Sequence, residues 1–160
     1  MNSTDIALLN ASLHVSDKER KHLDAVHRRL FPQGELSLDW LNNTLQTPEG
    51  IDRLESFNGK FSRLQDTIMD KLLPRLLIAV GELSGSAIDN LNKAAKLGLP
   101  VDTDQWIAMR RLRNLLVHEY LDDPADMLDA LQSAREFTQQ LLDCQQAIAR
   151  YAEQRLGQAT

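Results

Sequence analysis

One cysteine, Cys144, is all the thiol this chain carries. A lone thiol excludes an internal disulfide and any zinc site of the ordinary cysteine-based type, and the simplest setting is a reducing cytoplasm. There is no excess of positive charge either. The formal net charge is -5, so no strong overall field draws nucleic acid or an anionic membrane, although a local basic patch stays compatible with it. Long hydrophobic runs are missing too. The most apolar stretch, "KLLPRLLIAV", is broken by Pro74 and Arg75 and is far too short to span a bilayer. The N-terminal "MNSTDIALLNASLHVSD" lacks the basic start and apolar segment of a signal peptide. Aromatics are only 5% of the chain, and glycine and proline number 7 and 5, with no repeat, low-complexity tract or inter-domain linker. No glycine-rich phosphate loop, Ser-His-Asp arrangement or CxxC pair is present.

What is there suits helices. Apolar residues are 42% of 160, enough for one domain with a real core, and Leu, Ala, Gln and Arg outweigh the strand formers. Ser16 and Glu19 have capping-box spacing and predict a helix from there to about Leu30, ended by "FPQGE". A shorter helix is expected over 37–46, after which "TPEG" restarts the chain with Pro48 in a first turn. From about Glu49 to Leu83, Phe57, Phe61, Leu64, Ile68, Leu72, Leu76 and Val80 step by three or four residues and mark a broad buried stripe. Pro74 should kink or split that segment. "SGS" leads into a helix to about Leu97, Asp102 or Thr103 caps the next, and Asp123 with Pro124 opens a final long one. The expectation is an all-α, antiparallel bundle of four to five main helices. It occupies 1–160 as a single domain, with N-terminal helices over 1–48 and a core bundle over 49–156.

The stretch that asks for an explanation is "RNLLVHEY", residues 113–120, inside "WIAMRRLRNLLVHEYLDDP". At about 100° per residue, Met109, Leu112, Leu116 and Tyr120 share one face, with Trp106 and Val117 at its margin. Arg113 falls within that apolar face, two turns from Tyr120. Asn114 and His118 line up on another face, near Arg111. Each residue has an ordinary structural reading. An arginine can lay its methylenes over a core, a histidine can bond a helix's last carbonyls, and a tyrosine can keep a wet hydroxyl. A charge on an apolar face nevertheless needs a partner or a shared interface. Arg113 and His118 are also about 140° apart on a straight helix. A two-fold dimer along this helix would present the patch twice and bring the two residue types together.

The same residues resemble a known family. Arg113, Asn114, Leu115, Leu116, Val117, His118, Glu119 and Tyr120 match the Arg-x4-His-x-Tyr signature of HEPN domains of the HepT-like kind, including the polar residue after the arginine. The likeness covers about 50–145. It implies a dimeric helical bundle whose paired motifs form a basic cleft. It also implies a metal-independent endoribonuclease acting on RNA such as tRNA or mRNA, as the toxin of a type VII-like toxin–antitoxin pair. The implied partner is a minimal nucleotidyltransferase antitoxin that silences the toxin by adding AMP to tyrosine. By the resemblance, Arg113 and His118 are catalytic, Asn114 supports them and Tyr120 accepts AMP.

The chemistry agrees with the residue types. Cleaving RNA without metal requires proton removal from the 2′-hydroxyl, proton delivery to the leaving 5′-oxygen and stabilisation of charge on phosphorus. Histidine, with an ordinary pKa of about 6.5, serves either proton transfer, and arginine grips phosphate oxygens through paired donors. Arg110 and Arg111 are candidates for neighbouring phosphates, or for a solvated basic face. His14, His22 and His27 lack metal-ligand spacing, and no metal, cofactor or membrane partner is expected. Three readings stay open: the nuclease toxin, a non-catalytic HEPN subunit that binds a nucleotidyltransferase or its substrate, and an unrelated helical interaction domain.

Overall fold

Among the described residues seven α-helices form, and their starts follow local chemistry. The structure is a computed structural model that describes residues 2–118 and 123–157. All regular structure among the described residues is helical. Helix α1 (Ser3–Leu30) begins where the Asn2 side chain accepts from the Thr4 amide at 2.8 Å. It runs straight through Ser16, the expected start. The reason is packing: Leu9, Leu13, Leu23, Val26 and Leu30 extend one buried stripe along both halves of α1. Ser16 itself is buried. Its hydroxyl donates to the Leu13 carbonyl at 3.1 Å and accepts from Gln145 Nε2 at 3.2 Å, so it has no cap to make. Glu19 is partly buried beside Thr67, and burial raises its carboxyl above the usual range.

Helix α2 (Leu38–Leu45) is capped by Ser37, and α3 (Pro48–Thr67) by Thr47, whose hydroxyl accepts from the Gly50 amide at 3.0 Å. Gly50 is required by space. A Cβ there would stand 1.9 Å from the Thr44 carbonyl oxygen, so only glycine lets α2 close onto α3. Proline 74 splits the following segment, but by a wider turn placed before it. Ile68–Leu72 is π-helical, with the Leu73 amide reaching the Ile68 carbonyl, and α4 (Leu73–Ala79) resumes with Pro74 in its first turn. Proline has no N–H for the carbonyl four residues back, and the one-residue shift in register absorbs that loss.

A capping box of Ser86 and Asp89 opens α5 (Ala87–Lys96). Gly98, at φ +89°, ends it: its amide donates to Ala95 and that of Leu99 to Ala94. Helix α6 (Thr103–His118) starts where Asp102 accepts from the Gln105 amide at 3.0 Å. Helix α7 (Pro124–Leu156) starts at Asp123, which accepts from Ala125 at 2.9 Å.

Cross-helix contacts give the packing order. Ser12 meets Arg75, Glu19 meets Thr67 and His27 meets Phe57, so α1 runs antiparallel to α3 and α4. Ser16 pairs with Gln145 and His27 with Arg135, so α1 is antiparallel to α7 as well. Asp70 with Arg110 and Asp66 with Arg113 set α6 antiparallel to α3 and the π-turn that continues it. Trp106 against Phe137 joins α6 to α7. The core is continuous among these helices, and the stripe from Phe57 to Leu76 is fully buried.

The scarce aromatics are concentrated there. Phe31 meets Phe57 edge-on at 4.9 Å, Phe57 meets Phe61 at 5.7 Å, Phe61 meets Phe137 at 6.3 Å, and Phe137 meets Trp106 at 5.2 Å. Five rings thus tie the end of α1 to α3, α7 and α6. Among the described residues, no helix is long and apolar enough to cross a membrane.

Candidate functional site

Trp106, expected at the margin of the apolar face of α6, is fully buried and anchors the helix to the core. Met109, Leu112 and Leu116 pack against the same core. That orientation fixes where the motif side chains go. Arg113, on the apolar face, turns toward α3 and forms an ion pair with Asp66, its side chain only 15% exposed. One terminal guanidinium nitrogen donates to Asp66 Oδ2 and the other to Asn114 Oδ1. Asn114 is exposed, so this bond links the buried arginine to the solvent face of the helix. Arg113 and Asn114 had been placed on different faces; the length of arginine closes the gap.

One turn back, Arg110 pairs with Asp70, its nitrogen 2.9 and 3.0 Å from the two carboxylate oxygens. Both partners of that pair are more exposed than Arg113. Arg111 points to solvent. His118 closes α6 one turn beyond Asn114, entering only through its helical backbone, and Tyr120 lies outside the described residues.

The acidic partners Asp66 and Asp70 were missed in the sequence, and they left a signal. Asp66, at the end of α3, and Asp70, in the π-turn after it, stand four apart, matching Arg110 and Arg113, three apart on α6. Asp66 also belongs to a polar seam. Asn58, Ser62, Gln65 and Asp66 recur at helical spacing on α3, flanking the apolar stripe. Asn58 Nδ2 donates to the Leu116 carbonyl at 3.5 Å. Asn58 Oδ1, Ser62 Oγ, both polar atoms of the Gln65 amide, Asp66 Oδ1 and Arg113 Nε are buried without a hydrogen-bond partner among the described residues.

On its other side α6 borders a groove of about 350 Å³ shared with α7, lined by Leu112, Leu115, Asp126, Asp129, Ala130 and Ser133. Leu115 is 38% exposed at its edge.

The remaining titratable candidates have structural places. The His27 ring sits against the Arg135 carbonyl at 3.3 Å and packs edge-on against Phe31. Burial lowers its pKa. His14 and His22 are exposed. Cys144 is buried, and burial pushes its thiol up to about 12, so it stays protonated and unreactive.

Chemically, the arrangement holds one always-charged guanidinium in a fixed orientation. Of its five N–H donors, two are engaged by Asp66 and Asn114, and each terminal nitrogen keeps a second hydrogen for an incoming oxyanion. Comparison with family models, curated proteins and solved structures gives no match for this chain.

Proposed function

We propose that this chain is a HEPN-type endoribonuclease toxin of the HepT-like kind, working as a two-fold dimer. Its activity is silenced by a minimal nucleotidyltransferase that adds AMP to Tyr120. The observation that carries the reading is the setting of Arg113. A charged motif residue stands on the core face of α6, tied at once to Asp66 and to Asn114, the next residue of the same motif. An arginine needed only for solubility would not be held 15% exposed between two polar partners.

In this reading His118 exchanges protons with the 2′-hydroxyl and the 5′-oxygen, and Arg113 binds the phosphate whose charge grows in the transition state. A second copy supplies the matching histidine and arginine. Exposed Leu115 and the apolar groove beside it support a contact along this edge of α6. Arg110 and Arg111 steer flanking phosphates, Arg110 after exchanging Asp70 for RNA. AMP on Tyr120 would put bulk and a negative phosphate into the cleft and so exclude RNA.

The test is induction of the wild type beside His118→Ala and Arg113→Ala, with growth and RNA integrity followed. Growth arrest with RNA cleavage by the wild type alone is expected. Equal toxicity of all three, or no cleavage by any, removes the nuclease reading. A specific observation favours the alternative of a non-catalytic HEPN subunit that binds a nucleotidyltransferase. The net charge is -5, and both Arg110 and Arg113 already hold carboxylate partners. Stable binding of a nucleotidyltransferase without cleavage would select that reading.

A further inference from the structure

The nuclease reading leaves Asp66 without a role, and the geometry gives it one. We propose that Asp66 is the positioning residue for Arg113, a carboxylate on α3 that orients the guanidinium for phosphate; this rests on the nuclease reading. Two observations converge. The Asp66–Arg113 pair crosses between two helices, so the arginine's direction is set by the packing of α3 on α6 and not by its own helix alone. Asp66 and Asn114 take one terminal nitrogen each, which fixes the plane of the guanidinium from both sides.

The Arg110–Asp70 pair one turn away shows the contrast. There the carboxylate is 48% exposed, open to solvent exchange, whereas Asp66 is 36% exposed with one oxygen buried. Asp66 therefore acts as an orienting contact, and Asp70 as a replaceable counter-ion. Because Asp66 is itself negative, it opposes RNA binding slightly while it aims the arginine. Removing its charge should separate binding from turnover.

The experiment uses the full chain with Asp66→Asn, Asp66→Glu and the remote control Asp17→Asn, on a single-stranded RNA oligonucleotide, with rates corrected for folded fraction by circular dichroism. Asp66→Asn is expected to lower kcat on the order of 10- to 100-fold, the usual effect of misplacing a reacting group. KM should stay unchanged or fall. Asp66→Glu should recover most of the loss, and Asp17→Asn should match the wild type. A second readout does not need cleavage: the Arg113 Nε–H resonance, identified by its disappearance in Arg113→Lys, should shift and exchange faster in Asp66→Asn. Wild-type kcat with an unmoved resonance, or a raised KM with normal kcat, overturns the positioning role. If no version cleaves RNA, the nuclease reading falls, and the resonance alone decides whether Asp66 orients Arg113.

Discussion

The side of α3 that meets α1 and α7 and the side that meets α6 are made of different chemistry. Toward α1 and α7, Phe57 and Phe61 sit in a chain of rings at zero exposure, and polar side chains cross between helices. Arg135, for example, donates to the Pro32 carbonyl at 2.8 Å and the Gly34 carbonyl at 2.6 Å while its guanidinium lies over Phe31. Toward α6, α3 presents Asn58 to the Leu116 carbonyl and Asp66 to Arg113, and the π-turn after it presents Asp70 to Arg110. The α6 side therefore carries the cross-helix ion pairs, and the α1 and α7 side carries the rings. The first side holds the fold, and the second holds a charged group in place.

The largest effect should come from the ring side. Phe61→Ala is expected to cost about 3–5 kcal/mol in urea unfolding, because it removes a ring linking Phe57 to Phe137 and leaves a cavity. A cost under about 1 kcal/mol there would dissolve the contrast. Next is the charged seam. Asp66→Ala alone should lose about 1.5–3 kcal/mol, since it strands the Arg113 charge. The double change Asp66→Leu with Arg113→Met should recover that loss or exceed wild-type stability while abolishing activity. A double variant as unstable as the single one would show that the seam is structural after all.

Asp70→Asn should cost only about 0.2–1 kcal/mol, as for exposed pairs, measured by the same unfolding. The smallest effect is in pH. Burial, the main influence, lowers the folded-state pKa of His27 below its ordinary 6.5, so the unfolded chain binds the proton more readily. His27 therefore contributes stability that is full above pH 6.5 and is lost as pH falls through the folded value. Glu19 has the opposite sign: its raised carboxyl favours the fold at low pH, and that contribution is lost as pH rises from 4.5 through the folded value. Subtracting the thermal midpoints of His27→Gln from those of the wild type isolates the histidine. A difference that does not change between pH 7 and 5 would mean that burial of the ring is incomplete.

Much of the helical layout was legible because it is local. Ser37, Thr47, Ser86, Asp102 and Asp123 cap where their side chains can reach the next amides, and the three-and-four spacing from Phe57 to Leu76 reads directly as a buried face. The one start read wrongly, Ser16, shows the limit. Serine followed three residues later by glutamate is a cap only if the chain before it is not already helical, and packing against α4 and α7 extends α1 back to Ser3. Pro74 was read as a kink or split, but only the backbone could show that the cost is absorbed by a π-turn ahead of it.

The candidate site divides the same way. That Arg113 occupies an apolar face, and therefore needs a partner, follows from the helical repeat alone. Which residue partners it does not, because Asp66 is 47 positions away and nothing in local spacing selects it over other acids. The amino-acid sequence by itself determined an all-helical chain, its caps, its central stripe and an out-of-place arginine, since each depends on neighbours within a few residues. Only the tertiary structure decided that α6 lies antiparallel on α3, and so that Asp66 meets Arg113. Contacts between distant segments are set by how whole faces pack, not by any short pattern.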